Sequence, residues 1–331
     1  MLFNSLTYLS FLLIVVITFW NSTYRAKFYL IFISSLIFYG FWKIEFILLL
    51  LFSTTLDWWI AIKLYENKTR NKKKYLIFSL LCNLGLLFYF KYLIFFSKSA
   101  IGFVNLLGLE VDPLIINIIL PLGISFYTFQ TISYVIDVYR KIIKPEKNYI
   151  IYACYVTFFP QLVAGPILRA REVIPQLKKT KLFKWSFISS GARRVLYGLF
   201  LKVVIADNIS SLVDIGFASQ PETFSALDVW TLSFLFGFQI YFDFSGYSHI
   251  ALGSAKMIGI NFPENFNFPY LANSPREFWR RWHRTLSDWI RDYIYYPLGG
   301  SKGIATWKVY RNIMITLVVI GIWHGASWNF V

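Results

Sequence analysis

The sequence predicts an all-α fold, a polytopic membrane protein with re-entrant and interfacial helices, and three observations predict it. Of the 331 residues, 57% are hydrophobic and 21% aromatic, above the roughly half apolar content of a soluble domain. Apolar runs recur, among them Leu6–Trp20, Phe28–Trp42, Phe46–Ile62 and Tyr75–Phe96, several of them near the ~20 residues that cross about 30 Å of hydrocarbon. Charge, finally, is segregated into loops. No repeat or linker divides the chain, so one transmembrane domain over 1–331 is expected, with N-terminal spans in 1–110 and the motif-bearing region in 115–331.

The formal net charge of +16 would suggest nucleic acid in a soluble protein, but its distribution points to a bilayer. Lys63, Lys68, Arg70, Lys72, Lys73 and Lys74 crowd one loop, and Arg140, Lys141, Lys144 and Lys147 another. Arg169, Arg171, Lys178, Lys179, Lys181 and Lys184 fill a third. Segments between them are acidic: Glu110 and Asp112 in one, Asp207, Asp214, Glu222 and Asp228 in the other. This alternation is the positive-inside pattern, expected of a multi-pass protein of the cytoplasmic (inner) membrane. Membrane lipid is therefore an expected partner and nucleic acid is not.

The first run lacks a basic flank and a small-residue cleavage site, so it reads as a retained span. With 63–74 cytoplasmic, 75–96 runs outward, 97–113 is external and 114–138 returns to the basic 140–147 loop. The next run, "IIYACYVTFFPQLVAGPILR" (150–169), has basic flanks on both sides and is broken by Pro160, Gly165 and Pro166. A full crossing would put one basic flank outside, so 150–167 is expected to be re-entrant, its irregular backbone covered by protein or lining a cavity. Residues 187–206 then run outward, with Arg193 and Arg194 snorkelling near the cytoplasmic end, 207–228 lies outside and 229–249 returns. The segment 273–300 mixes Trp279, Trp282 and Trp289 with Arg276, Arg280, Arg281, Arg284 and Arg291, the composition of an interfacial helix. The run 312–331 heads outward.

Three histidines occur, His249, His283 and His324. His324 lies 12 residues into its apolar run, about 18 Å at ~1.5 Å per helical residue, which is near mid-bilayer. An ionisable group at that depth faces a bundle interior and points to function, against the alternative of a hydrogen-bonded core histidine. Its neutral imidazole would serve as a general base. Gly325, Ala326 and Ser327 leave room beside the ring, and Trp323 and Trp328 can wall it or offer indole N–H groups to an oxyanion. The histidines have no ligand-like spacing, so no metal is expected; no serine sits in a nucleophile-elbow sequence. Cys82 and Cys154 lie in apolar runs and read as small hydrophobes.

Five ordered segments carry a resemblance: "LPLGISFYTFQTISYVIDVYR" (120–140), "FFPQLVAGPILR" (158–169), "FQIYFDFSGYSHIALGSAKMIGINFPENFNFPY" (238–270), "FWRRWHRTLSDWIRDYIYYPLGG" (278–300) and "IWHGASWNF" (322–330). Together they resemble the membrane-bound O-acyltransferases, in the bacterial branch of alginate O-acetyltransferase and the D-alanyl transferase of teichoic acid synthesis. The "PENFNFPY" and "SGYS" segments look closest to the polysaccharide O-acetylation branch.

The resemblance implies a catalytic histidine in the Trp-His-Gly motif, here His324. It implies a second polar site residue, His283, in a Trp-x-x-Trp-His-x-(Thr/Ser)-Leu-Ser helix. It also implies acyl transfer from a cytoplasmic thioester, such as acetyl-CoA, to a hydroxyl. The donor is a substrate, and no permanently bound cofactor is expected. Arg280, Arg281 and Arg284 are candidates for the donor's phosphates, their alternative being an interfacial anchor. A periplasmic or extracellular acetylation partner and, indirectly, a polysaccharide acceptor are expected. His249 stands where an acidic or apolar residue is expected and is not carried over as a site residue. Family members continue past the last motif, so the chain is expected to be C-terminally truncated and inactive by itself. Three rivals stand beside this reading: D-alanyl transfer from a carrier-protein thioester, a transporter component without a visible inverted repeat, and a non-catalytic scaffold.

Overall fold

The computed structural model describes residues 1–66, 71–112, 118–163, 165–220 and 224–330. Lys68 and Arg70 of the first basic loop, the start of the span expected at 114–138, Ala164, Glu222 and Val331 lie outside the described residues. All regular elements among the described residues are helical. In chain order they are α1 (Leu6–Asn21), α2 (Tyr24–Gly40), α3 (Glu45–Glu66), α4 (Lys72–Leu87), α5 (Leu93–Leu106), α6 (Ile124–Tyr139) and α7 (Tyr149–Thr157). There follow α8 (Ala170–Lys178), α9 (Trp185–Leu199), α10 (Asp207–Ala218), α11 (Ala226–Met257), α12 (Pro275–Arg281), α13 (Arg284–Ile290) and α14 (Thr306–His324). Single π-helical stretches, Phe88–Tyr92 and Phe200–Ala206, join α4 to α5 and α9 to α10. By length and composition α3, the run Lys72–Leu106 and the run Trp185–Ala218 can each cross a membrane.

Several elements are bounded differently from the sequence reading, among them α5, which continues to Leu106 through the start of the segment expected outside. The span expected from 114 turns helical only at Ile124, after Pro121 and a left-handed Gly123 (φ +71°). The segment expected to lie outside from 207 is helical to Ala218. At its start Lys202, in the π-helical stretch, bonds Asp207 at 2.6 Å and Asp243 of α11 at 2.5 Å, which ties the two helices together. The Arg/Trp segment is not one helix but breaks at Trp282 and His283, between α12 and α13.

The chain forms two compact units, each discontinuous in sequence, so that no linker marks them. One comprises Met1–Ile44 and Thr157–Thr285, the other Glu45–Val156 and Leu286–Val331. In the first, α9 and α11 pack most extensively, because glycines remove the side chains at their crossing. A Cβ on Gly198 would meet the Gly246 carbonyl at 2.6 Å, and one on Gly253 the Gly191 carbonyl at 2.7 Å. Tyr8 and Ser254 hydroxyls, 2.8 Å apart, tie α1 to α11. Phe38 packs against Phe3, Tyr8 and Phe159.

The stretch expected to be re-entrant leaves helix at Thr157 and is buried through most of residues 158–170. Its backbone is satisfied by side chains: Ser35 Oγ accepts from Phe159 N at 3.1 Å, and Thr285 Oγ1 accepts from Ile167 N at 2.9 Å. Irregular chain covered by protein in this way is the condition for placing it at membrane depth. Gly165 is required by space, since a Cβ there would lie 2.4 Å from the Gln161 Cα.

In the second unit a polar cluster joins α3, α4 and α6. Asp57 is wholly buried and accepts from Ser79 Oγ at 2.6 Å and Asn83 Nδ2 at 2.7 Å. The Asn83 Oδ1 in turn accepts from Ser53 at 3.0 Å and Thr131 at 3.3 Å.

Gly198→Ala and Gly253→Ala should each lower the thermal midpoint in detergent, by an overpacking cost of about 1–3 kcal/mol. Gly85→Ala, with open space around it, should be neutral or slightly stabilising. Equal midpoints for all three would contradict a close backbone crossing.

Candidate active site

His283 lies in the first unit, in the break between α12 and α13, and is 1% exposed. Its φ of +40° is unusual for a residue with a side chain and is held by the contacts around it. Backbone bonds from Asn267 N to Arg281 O (2.9 Å) and from Arg284 N to Asn265 O (2.8 Å) clamp the break against residues 265–267. Phe244 meets the imidazole edge to face at 4.7 Å.

The decisive partner is Asn265, itself 1% exposed. Its Oδ1 lies 3.0 Å from His283 Nδ1 and accepts from Thr285 Oγ1 at 2.9 Å, while its Nδ2 donates to Ser248 Oγ at 3.2 Å. An amide oxygen only accepts, so Nδ1 carries the proton and the neutral ring keeps its lone pair on Nε2. Thr285 also accepts from Ile167 N, so one amide fixes the tautomer of His283 and docks the buried irregular stretch.

His324 lies in the second unit as the last residue of α14. That helix starts at Thr306, earlier than the apolar run, and ends where Gly325 turns extended. The last turn of a helix has carbonyls without intrahelical partners. Here Tyr92 OH donates to Ile322 O at 2.8 Å, and the Lys91 ammonium donates to Trp323 O. A cation at that end also complements the helix dipole. Both residues come from the π-helical stretch Phe88–Tyr92, which interrupts an otherwise apolar run.

Trp323 is buried, with Phe129 stacked beside it at 5.9 Å; Phe129 stacks in turn on Trp289 at 4.1 Å and accepts from its indole at 2.9 Å. The His324 ring is exposed and does not face a bundle interior as its depth in the run predicts, with Trp323 at 4.9 Å and Phe330 at 6.5 Å. Trp328 does not wall it. Its indole donates to Ser99 Oγ at 3.0 Å and packs on Phe95, which removes it as an oxyanion donor.

The candidate arginines differ. Arg281 is bound to Glu277 at 2.6 Å and is thereby engaged within its own helix. The Asn273 N–H, and after it the Arg281 guanidinium, hold the Glu277 carboxyl below the usual carboxylate range. Arg280 and Arg284 are exposed and have no ion pair among the described residues. Arg194, expected to snorkel, pairs with Glu264. His249 is half-buried against Tyr197 at 4.9 Å.

Residues 146–331 match the membrane-bound O-acyltransferase family, a stretch that contains both motif histidines and Asn265. The chain belongs to that family. It is 39% identical to the "probable alginate O-acetylase" of Azotobacter vinelandii, covering 93% of this chain and 61% of that protein. It is 40% identical to the protein of the same description from Pseudomonas aeruginosa, covering 93% and 58%. The peptidoglycan O-acetyltransferase of Helicobacter pylori is 36% identical, covering 90% and 60%. The chain thus spans about three fifths of the length of these curated relatives. It is a membrane protein.

Asn265, Lys91 and Tyr92 were not singled out by the sequence reading. Asn265 stands inside a quoted motif, and Lys91 is a lone cation in the apolar run Tyr75–Phe96, which was the available signal.

Asn265→Ala should lower the thermal midpoint more than Ser248→Ala, since it strands both His283 Nδ1 and the Thr285 hydroxyl, each buried group costing about 1–3 kcal/mol. Equal losses in detergent unfolding would show that the amide is not the organising group. Tyr92→Phe should cost about 1 kcal/mol through the end of α14.

Proposed function

We propose that this protein is a membrane-embedded O-acyltransferase that moves an acetyl group from a cytoplasmic thioester, acetyl-CoA, to a hydroxyl destined for extracellular polysaccharide. One observation carries the choice of base. Among the three histidines, His324 alone is exposed, and it makes no hydrogen bond among the described residues, whereas His283 commits Nδ1 to Asn265. A general base needs a lone pair that substrate can reach.

In this reading a His324 ring nitrogen takes the hydroxyl proton as the oxygen attacks the thioester carbonyl. The C–O bond forms, the C–S bond breaks, and the proton passes to the departing thiolate. Such proton transfer is typically worth about 10²–10⁴-fold. His283, a site residue by the family resemblance, is held in one tautomer by Asn265 within the first unit. Arg280 and Arg284, exposed and without ion pairs among the described residues, suit the donor's phosphates better than Arg281. The names of the relatives support an acetyl group and a polymer acceptor, and an outward partner protein would complete delivery. The setting is the cytoplasmic (inner) membrane.

The test is complementation in cells lacking their own acyltransferases, made with the sequence extended by the segments that family members carry past the last motif, with polymer acetylation measured per folded molecule. His324→Ala should abolish transfer at near-normal protein level, and His283→Ala should reduce it by a smaller factor. His249→Ala should leave turnover unchanged. Wild-type turnover by His324→Ala would remove the general base.

A further inference from the structure

The first unit gathers four lysines from three places in the chain. Lys27 comes from α2, Lys179 and Lys181 from the connection after α8, and Lys256 from the last turn of α11. The first three line a groove whose floor includes Tyr24, Phe28 and Ile260.

Among the described residues, the groups that Lys27, Lys181 and Lys256 touch are neutral. Lys181 donates to the Gly259 carbonyl, and Lys256 donates to Asn261 Oδ1 at 2.6 Å. Lys27 sits over the Phe19 and Trp20 rings at 4.9 and 5.1 Å. The charged groups acting on Lys181 are Lys256, Lys179 and Lys27, with no carboxylate among them. Burial first, and these neighbours second, bring the Lys181 ammonium down to about 8. Like charges at a partly dehydrated edge repel, and a bound anion would relieve that repulsion.

A second feature adjoins the lysines. Leu182, Phe183 and Trp185 follow Lys181 directly and are 78%, 55% and 69% exposed. Phe183 packs edge to face on Trp20 at 5.4 Å, which braces the strip beside the groove. Exposed aromatic and aliphatic side chains beside a rim of lysines suit the head-group level of a bilayer, where the rings meet acyl chains and the ammonium groups meet phosphate. A water-soluble phosphate compound would leave that strip without a partner.

We propose that Lys27, Lys179 and Lys181 form a binding site for the phosphate of an anionic membrane phospholipid, with Leu182, Phe183 and Trp185 seated among its acyl chains. This site involves none of the histidines and does not rest on the acyl-transfer reading. Its role is to hold the connection between α8 and α9 at the membrane surface.

The test is native mass spectrometry of the detergent-purified protein titrated with phosphatidylglycerol or phosphatidylcholine. Phosphatidylglycerol should be retained about tenfold more strongly. Lys27→Gln/Lys179→Gln/Lys181→Gln should bring that preference below about twofold. Lys179→Gln alone, at an exposed position that folding does not need, should reduce it about threefold. Lys302→Gln/Lys308→Gln removes positive charge elsewhere and should keep the full preference. No preference in the unmodified protein, or equal loss in the Lys302/Lys308 variant, would overturn the site. Coenzyme A supplies the competing arm. If it binds the lipid-stripped protein, displaces phosphatidylglycerol and loses both effects in the triple variant, the phosphate site belongs to a soluble ligand and the lipid assignment fails.

Discussion

A polar group buried among apolar helices has to find its partner inside the protein, and the amide of Asn265 meets that constraint at the break between α12 and α13. It accepts from His283 and Thr285 and donates to Ser248 on α11. Through Thr285 it reaches the buried stretch around Ile167. The left-handed backbone at His283 persists because these bonds and the clamp to residues 265–267 leave it no alternative. An orphaned buried donor costs more than an average hydrogen bond contributes, so the arrangement is close to all-or-none.

The second unit answers the same constraint twice. Asp57 is surrounded by hydroxyl and amide donors from α4 and, through Asn83, is linked to α6. At the end of α14, Lys91 and Tyr92 take up carbonyls that the helix cannot satisfy, while Trp323 is locked against Phe129. The helix end is therefore fixed and the last side chain, His324, remains exposed. Fixed backbone with an uncommitted ring is the arrangement a general base requires.

Much of this was legible in the residues. Apolar runs located the helices, the proline and glycine breaks located the irregular stretch, and the motif resemblance brought out His283 and His324. What escaped was decided by tertiary partners. Lys202 pairs with Asp207 and Asp243, a helix-to-helix tie that charge counting along the chain does not reveal. The Arg/Trp segment has no proline or glycine at Trp282 and His283, so its break is set by pairing with residues 265–267, which periodicity cannot reveal. Asp57, a lone carboxylate in the apolar run Phe46–Ile62, was the plainest signal left unused. Trp328 shows the reverse error, since nearness to His324 in sequence suggested a wall, whereas its indole turns to Ser99.

Acyl transfer from a cytoplasmic donor is the central claim, and sidedness tests it most directly. Acetyl-CoA labelled in its acetyl group can be supplied to sealed membrane vesicles, inverted or right-side-out, containing the acceptor and the protein extended by the segments family members carry past the last motif. The account predicts labelled acceptor in inverted vesicles, where the cytoplasmic face meets the donor, and none in right-side-out vesicles. Transfer in right-side-out vesicles, or labelled acceptor in neither orientation, would contradict it.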